Sequence, residues 1–337
     1  MDISRQLHRL VTGYQVSQAV HVAATLGLSD LLADGPRTLA ELAEASGADG
    51  PSLSRLMRAL TEVGLYVSAG DGTYANTELG DAFRTVAPHS VAGWARYVGR
   101  PWHWQAYAAL EHSIRTGEDA FSTVHGQSLW DYLSDHPDAQ RDFDDAMSAL
   151  SRAVAEEVVE AYDFGRFATV VDVGGGRGML LAAVLRRYPS VDGVLFDQPD
   201  VVAGAHPVLS AAGVSQRCRV VGGSFFESIP EGADAYLLKF VIHDWPDAES
   251  LAILRTCRRS MPAHGRLLLV EQLLDESPDP MRTVFSDLTM LVMAGGQERT
   301  TEQYRSLLAA AGFDLVRTVP SGTSVSIIEA APAQEYA

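Results

Sequence analysis

The chain has 337 residues, of which 47% are hydrophobic and 20% are charged, so it is long enough for two domains with a substantial core. Its net charge of −17 argues against a nucleic-acid partner, because such binding depends on neutralising phosphates. No apolar run is long enough to cross a bilayer, and residues 1–10 hold no apolar signal segment, so no membrane partner is expected. The two cysteines, Cys218 and Cys257, make neither a disulfide framework nor a zinc cluster, which favours a reducing cytoplasm.

The N-terminal part, residues 1–100, predicts helices followed by a small hairpin. Thr38-Leu-Ala-Glu41 spells a capping box, which begins a short helix after the helical segments of residues 1–35. A second helix follows over residues 51–63, and Asp71-Gly72 is typical of a hairpin turn. This succession of helix, turn, helix and hairpin indicates a winged helix.

A winged helix in this position has two interpretations. The first is DNA binding, for which the second helix offers only Arg55 and Arg58 to a groove. The second is dimerisation, or a lid over a catalytic domain. The strongly negative charge of the chain favours the second interpretation, with a homodimer formed through the N-terminal domain.

Residues 77–165 are predicted to be helical and are rich in aromatic side chains, Trp104 and Phe143 among them. Most of these rings are expected to pack between helices, although a subset suits the faces of a planar ligand. Asp163-Phe-Gly165 marks the next boundary. The expected domains are 1–100, a winged-helix-like dimerisation domain, 101–165, a helical linker and substrate-lining region, and 166–332, an α/β domain.

Strands and helices alternate regularly from residue 166 onward. Continuous apolar runs at residues 236–241 and 267–270 are typical of strands buried on both faces. The alternation predicts an α/β fold with a doubly wound sheet. The predicted strands are 168–173, 193–197, 218–222, 235–241, 266–271, 313–319 and 324–330. The predicted helices are 179–188, 199–212, 248–260 and 301–311.

A glycine-rich turn, Asp172-Val-Gly174-Gly-Gly176-Arg-Gly178, follows the first of these strands. Glycines allow positive φ angles and let a ligand approach the backbone. The dinucleotide pattern G-x-G-x-x-G fails here, because its third glycine would fall at Met179. The spelling D-x-G-x-G-x-G resembles motif I of S-adenosylmethionine (SAM)-dependent methyltransferases, in which Asp172 suits the ammonium group of the cofactor. A purely structural turn is the alternative.

The second strand ends at Asp197, about twenty residues past the turn, where an acid commonly binds ribose hydroxyls. Asp197 is equally suited to cap the helix that begins at Pro199. The two roles are compatible with each other.

Polar residues converge beyond the carboxyl ends of the strands, where such sheets bind ligands. His243 follows the fourth strand, Glu271 ends the fifth, and Glu298 follows a helical insertion. Histidine has the pKa nearest neutrality, so His243 is the candidate general base, and the two glutamates are available to orient it and stabilise its protonated ring. The structural alternatives are a core histidine, a solvated Glu298, and an Asp244 that only caps the next helix.

These stretches resemble a family, the small-molecule O-methyltransferases of the caffeic-acid type, which include bacterial enzymes that tailor aromatic polyketides and other antibiotics. The resemblance covers nearly the whole chain and is most specific around His243. It implies a Rossmann-like SAM-methyltransferase domain, an N-terminal dimerisation domain, and methylation of a hydroxyl group on an aromatic secondary metabolite. The matching stretches are Asp172-Val-Gly-Gly-Gly-Arg-Gly178, Phe196-Asp-Gln-Pro199, Gly222-Gly-Ser-Phe-Phe226, Leu238-Lys-Phe-Val-Ile-His-Asp-Trp245 and Gly295-Gly-Gln-Glu-Arg-Thr300.

The resemblance also implies roles for individual residues. His243 is the implied base, flanked by Glu271 and Glu298. The implied contacts to the aromatic acceptor are Phe143, Met147, Asp244, Met290 and Trp104. The implied SAM contacts are Asp172, Gly174, Gly176, Asp197, Ser224, Phe225 and Lys239, the last largely through its backbone.

Two positions depart from the family's pattern. Ser224 stands where the family often has an aspartate on the adenine edge, so a hydroxyl must make that contact. Leu150 lies near the place of the family's substrate histidine, which implies an acceptor other than a simple hydroxycinnamate.

The implied reaction is an in-line methyl transfer without a metal. His243 removes the proton of the acceptor as its oxygen attacks the methyl carbon, and S-adenosylhomocysteine leaves. Two other functions share these residues: a hydroxylase or decarboxylase on the same SAM-binding fold, and a SAM-sensing winged-helix regulator. The presence of both His243 and Glu298 favours methyl transfer over the first, and the negative charge disfavours the second.

Overall fold

A computed structural model describes residues 2–87, 90–322 and 325–333, and only the backbone of Ala153. The described chain packs into two compact units. One comprises the residues up to Trp104 together with Pro137–Ala153, and the other comprises Gln105–His136 and the residues from Val154 onward. None of the helices within these ranges is both long and apolar enough to cross a membrane.

The helices and strands follow one another along the whole described chain. The helices are α1 (Ile3–Val11), α2 (Gly13–Thr25), α3 (Leu28–Leu31), α4 (Leu39–Ser46), α5 (Gly50–Val63), α6 (Glu78–Ala82), α7 (Ala92–Val98), α8 (Pro101–Ala108), α9 (Leu110–Thr116), α10 (Ala120–His125), α11 (Leu129–Asp135), α12 (Pro137–Ala161), α13 (Met179–Arg187), α14 (Pro199–Val202), α15 (His206–Ala211), α16 (Asp247–Ser260), α17 (Pro280–Ala294) and α18 (Thr301–Ala310). The strands are β1 (Arg37–Thr38), β2 (Tyr66–Gly70), β3 (Thr73–Asn76), β4 (Thr169–Val173), β5 (Asp192–Asp197), β6 (Cys218–Gly222), β7 (Ala235–Lys239), β8 (Arg266–Glu271), β9 (Phe313–Pro320) and β10 (Ser326–Pro332). Short 3₁₀ turns lie at Phe164–Arg166, Ser215–Arg217 and Ile242–Asp244.

The N-terminal unit contains the two helices and the hairpin that the sequence predicts. Thr38 and Glu41 form the capping box at the start of α4, since the Thr38 backbone N–H donates to the Glu41 carboxylate at 2.7 Å and the Thr38 hydroxyl accepts from the Glu41 N–H. Asp49 caps α5 by accepting from the Ser52 N–H at 3.0 Å. In the described part of the unit, β1, β3 and β2 pair in that order as an antiparallel sheet. The apolar faces of α2 to α5 meet in one core.

The second unit is organised around a sheet whose described strands run in the order β6-β5-β4-β7-β8-β10-β9. The first five are parallel to one another, whereas β10 is antiparallel to both β8 and β9. The predicted doubly wound α/β fold is therefore confirmed. The last predicted strand is present as β10, although its predicted first residue, Ser324, lies outside the described residues.

Helices cover both faces of this sheet, which explains its long apolar strands. Val170 and Leu237 face one buried cluster, and Val171 and Leu238 face the other. Successive side chains of a strand point to opposite faces, so a strand covered on both sides has no polar face. The carboxyl ends of β4, β7 and β8 then lie at one edge, and this edge carries the site.

Two predicted elements end earlier or break in the structure. The predicted strand 235–241 ends at Lys239, because Phe240 adopts a left-handed φ of 54° that no strand continues. The predicted helix 199–212 is broken into α14 and α15, and Pro207, near the start of α15, has no N–H to continue a helix from the preceding turn.

Candidate active site

The glycine turn after β4 has the backbone geometry that its sequence predicts. Gly174, Gly176 and Gly178 have φ angles of 68°, 60° and 82°, which only glycine adopts without strain. The Gly176 N–H donates to Asp197 Oδ2 at 2.8 Å, so the acid at the end of β5 holds the turn. Asp197 Oδ1 also accepts from the Gln198 N–H at 2.7 Å, just before α14. The predicted cap is wrong, because Gln198 is the N-cap residue of α14 and no side chain caps this helix. Contact of Asp197 with ribose hydroxyls stays a prediction.

Asp172 is a buried charge beneath this turn. Its side chain is 1% exposed, and neither of its carboxylate oxygens has a hydrogen-bond partner among the described residues. A Cβ built on Gly175 would lie 2.7 Å from Asp172 Oδ2, so the carboxylate points at the turn. Burial raises the pKa of Asp172 to about 7, against the opposing effect of Lys239. An orphaned carboxylate of this kind suits a cationic ligand group.

Three predicted cofactor contacts cluster around Gly174 and the loop after β6. A Cβ on Gly174 would lie 2.8 Å from Val241 Cγ2 and 3.8 Å from Phe225 Cε1, so the turns after β4, β6 and β7 meet there. The Ser224 hydroxyl accepts from the Phe226 N–H at 3.3 Å within its own turn. Burial lowers the pKa of Lys239 to about 8, which Asp172 opposes.

The loop after β7 is fixed by backbone hydrogen bonds to Glu271. Glu271, at the end of β8, is fully buried, and its Oε1 accepts from the N–H groups of Val241 at 3.2 Å and Ile242 at 2.9 Å. The Phe240 ring stacks on the His243 ring, with centroids 5.3 Å apart and 16° between the planes. Both contacts orient the imidazole at the strand's end.

His243 lies among three carboxylates, two of which were predicted to flank it. Its Nδ1 is 3.0 Å from Glu298 Oε1 and 3.8 Å from Glu271 Oε2, and its Nε2 is 3.4 Å from Asp244 Oδ1. Its side chain is only 9% exposed. An ionised Glu298 can only accept, so Nδ1 carries a proton, and when the ring is neutral Nε2 holds the lone pair that can act as a base.

The carboxylates decide the charge of this ring. Burial favours the neutral imidazole, but Glu298, Glu271 and Asp244 outweigh burial and raise the pKa of His243 well above its ordinary value. Burial also raises the pKa of Glu271 to about 7 and that of Asp244 to about 6. The cluster therefore favours a protonated ring strongly.

Arg299 and Gly296 close the loop from the other side, and the sequence assigned neither a role. The Arg299 guanidinium is 1% exposed and donates to the carbonyls of Ile242 at 3.1 Å and Trp245 at 3.0 Å, and to Asp247 at 2.7 Å. A Cβ on Gly296 would lie 2.0 Å from the His243 carbonyl oxygen. The segment around Glu298 thus fixes the loop that carries the histidine.

The implied acceptor contacts are divided between the two units. Asp244 lies at the histidine, and Met290 lies on α17 one turn beyond Ser286, on the same helix face. Phe143, Met147 and Trp104 belong to the N-terminal unit. Their contact with an acceptor stays a prediction.

The glycine turn and its neighbours fit SAM on the structure's own features. A Cβ on Gly176 would meet no described atom within 4 Å, which leaves its backbone open to a ligand. Asp172 supplies a carboxylate without a hydrogen-bond partner among the described residues under that opening, and Asp197 ends the adjacent strand. Such a set suits a ligand with an ammonium group and ribose hydroxyls.

We expect Asp172→Asn to stabilise the ligand-free protein at high pH and to weaken cofactor binding. Because the pKa of this carboxyl is raised, the folded chain binds a proton more tightly than the unfolded chain, and wild-type stability falls as the pH rises from about 4 to about 7. The asparagine variant has no such loss, so its advantage in melting temperature should grow between pH 5 and pH 8. Calorimetry should show S-adenosylhomocysteine binding about tenfold more weakly, from the lost charge pair.

Asp192→Asn is the matched control, because Asp192 is exposed at the start of β5. It should leave both measurements unchanged. An Asp172→Asn variant with wild-type ligand affinity would remove Asp172 from the cofactor site.

Comparisons with known proteins cover nearly the whole chain. A family model described as an O-methyltransferase domain matches residues 107–314, and one described as an O-methyltransferase dimerisation domain matches residues 8–85. The phenazine O-methyltransferase PhzM of Lysobacter antibioticus is 43% identical over 98% of this chain and 97% of its own length. The O-demethylpuromycin-O-methyltransferase of Streptomyces alboniger is 45% identical over 96% of this chain and 88% of its own.

A solved structure identifies the methyl donor. NcsB1, an O-methyltransferase from neocarzinostatin biosynthesis in complex with SAM and 2-hydroxy-5-methyl naphthoic acid, is 36% identical. The match covers 94% of this chain and 96% of that one, with a TM-score of 0.81. SAM is the cofactor of the enzyme described here, as its glycine turn predicts. The chain belongs to the family of S-adenosylmethionine-dependent O-methyltransferases.

Proposed function

We propose that this enzyme methylates a hydroxyl group, phenolic in character, on an aromatic secondary metabolite, with His243 as the general base. The observation that carries the proposal is the contact of 3.0 Å between His243 Nδ1 and Glu298 Oε1. It leaves Nε2 as the basic atom of a buried ring at the edge of the sheet that holds the cofactor turn. The relatives named for aromatic acceptors support the choice of substrate class.

The residues of the chain handle the proton. SAM, when bound, supplies a methyl group activated by a positively charged sulfur. His243 accepts the hydroxyl proton at Nε2 while Glu298 holds the Nδ1 proton. A phenol has a pKa of about 10 and an ordinary imidazole about 6.5, a gap worth roughly 5 kcal/mol. The surrounding carboxylates raise the pKa of His243 and thereby narrow this gap.

Transfer of a labelled methyl group tests the activity itself. Incubation with methyl-labelled SAM and a panel of hydroxylated bicyclic and tricyclic aromatics should place the label on an acceptor oxygen. Label on no acceptor, with hydroxylated or decarboxylated product instead, would support the alternative chemistry on this fold. Mass spectrometry of the products separates these outcomes.

We expect Glu298→Gln to reduce kcat by about ten- to a hundredfold and to shift its pH dependence. In the wild type the raised pKa, about 10, keeps His243 protonated near neutrality, so turnover should rise with pH through neutrality towards that pKa. Removing one carboxylate lowers the pKa of the ring, and the acid limb of kcat should move to lower pH. Glu302→Gln, at an exposed position on α18, should change neither quantity.

If the acid limb of kcat does not move in Glu298→Gln, the charge of Glu298 does not affect the pKa of His243. A limb that moved to higher pH would contradict the sign of the proposed coupling.

The N-terminal unit is proposed to be a winged-helix-like domain that forms a homodimer. The match of residues 8–85 to a dimerisation domain supports this. So does α1, which has no buried residue and exposes Ile3, Leu7 and Leu10. Two free cysteines support a reducing, cytoplasmic location.

A further inference from the structure

One carboxylate oxygen in the cluster around His243 receives three hydrogen bonds. Glu298 Oε1 accepts from His243 Nδ1 at 3.0 Å, from Gln272 Nε2 at 3.0 Å and from the Ser286 hydroxyl at 2.7 Å. Gln272 follows β8 directly, and Ser286 lies on α17. The carboxylate is therefore held from three different elements, each of which restricts its rotation.

Gln272 is itself fixed in place. Its Nε2 also donates to the Ser286 hydroxyl at 2.9 Å, and its Oε1 accepts from the Thr283 hydroxyl at 3.5 Å. Thr283 is in turn 2.6 Å from the Ser277 hydroxyl. Gln272 is 4% exposed and Thr283 is fully buried, whereas Ser277 and Ser286 are half-buried, so the inner part of the network has little access to water. Such a network has few alternative arrangements.

Glu271 shows what the same environment does to a carboxylate without side-chain donors. Its Oε1 accepts only from backbone N–H groups, and its Oε2, like that of Glu298, has no hydrogen-bond partner among the described residues. Burial raises the pKa of Glu271. Burial would also raise the pKa of Glu298, but His243, Ser286 and Gln272 outweigh it and lower that pKa. The closer approach of His243 and the side-chain donors on Glu298 thus distinguish the two acids.

We propose that Gln272 and Ser286 are positioning residues that keep Glu298 ionised and aligned with His243 Nδ1, so that Nε2 stays available to the acceptor. The inference rests on the proposed role of His243 as base. Neither residue touches the reacting atoms. They act through Glu298, and they thereby set the proton affinity of the pair formed by His243 and Glu298.

Other charged and titratable groups surround the pair and remain unchanged in the test. They are Lys239 at the end of β7, Asp244 beside the histidine, Glu271 at the end of β8, Asp287 on α17, Arg299 next to Glu298, and Tyr304 on α18.

The test compares Ser286→Ala and Gln272→Leu with the wild type in kcat, in KM for SAM, and in the pH dependence of kcat. Each variant should lower kcat about tenfold with KM for SAM within about twofold. Loss of a donor leaves the anionic cluster with a higher proton affinity, so the acid limb of kcat should move up by about one pH unit. Ser286→Thr keeps the hydroxyl and should recover most of the lost turnover.

Ser260→Ala is the matched control, since it removes one buried hydrogen bond, to the Ile229 carbonyl, from another part of the unit. It should leave the pH profile unchanged.

His243→Ala is measured in parallel. If His243→Ala is inactive while Ser286→Ala and Gln272→Leu keep wild-type turnover and acid limb, the positioning role is refuted and the base role stands. If His243→Ala keeps turnover, the base role fails and the positioning role fails with it. If Gln272→Leu does not fold, Ser286→Ala decides the result.

Discussion

His243→Ala should lower kcat by about a thousandfold while S-adenosylhomocysteine binds within about threefold of the wild-type affinity. In its neutral form the ring offers a lone pair on Nε2 that can take a hydroxyl proton, because Glu298 holds the proton on Nδ1. The predicted cofactor contacts lie at the ends of β4, β5, β6 and β7 and do not include the imidazole. Steady-state turnover with a labelled methyl donor and calorimetry with S-adenosylhomocysteine measure the two effects separately.

His264→Ala is the control for this experiment. His264 is also a histidine beside an acid, Asp234, at 3.1 Å, but its side chain is 71% exposed. Its replacement should leave kcat within about twofold. Turnover of His243→Ala within about tenfold of the wild type would exclude His243 as the base.

Gly296→Ala should inactivate the enzyme through the backbone rather than through a side chain. The added Cβ would lie 2.0 Å from the His243 carbonyl oxygen and 2.5 Å from the carbonyl carbon of Asp244, and neither backbone atom can rotate away. The loop must shift, and misplacing a catalytic group by about 1 Å costs on the order of a hundredfold in kcat. Overpacking should also lower the melting temperature, on the order of 5 °C.

Gly50→Ala separates this effect from glycine replacement in general. A Cβ on Gly50 would meet no described atom within 4 Å, and Gly50 begins a helix. That variant should keep wild-type turnover and stability. A Gly296→Ala enzyme with wild-type kcat would show that the close packing of these two loops is not needed for catalysis.

The sequence predicted the members of the cluster around His243 but not the residues that hold them in place. His243, Glu271 and Glu298 were predictable because each lies at the end of a strand or in a loop with a specific sequence motif. Gln272 and Ser286 gave no such signal. A buried glutamine after a strand and a serine inside a helix are ordinary residues, and their convergence on one oxygen depends on how α17 packs beside β8.

The fold shows the same division between local and distant causes. The positions of the strands followed from the apolar runs, and the capping box at Thr38 followed from a local sequence motif. The early end of β7 did not follow from the local sequence. It depends on the left-handed backbone of Phe240, which is compensated by a tertiary contact, the stacking of the Phe240 ring on His243. The antiparallel insertion of β10 between β8 and β9 was equally absent from the pattern of alternating elements.

That insertion has a consequence for how the protein is made on the ribosome. β10 is the last strand of the sheet to be synthesised, yet it fills an interior place, and β9 reaches the sheet only through it. It also carries the buried Glu329, which pairs with Arg166, Arg266 and Arg317. Until β10 emerges, β8 has a bare edge and three arginines lack their counter-ion, so nascent chains should stay sensitive to proteases and dependent on chaperones until synthesis has passed this strand.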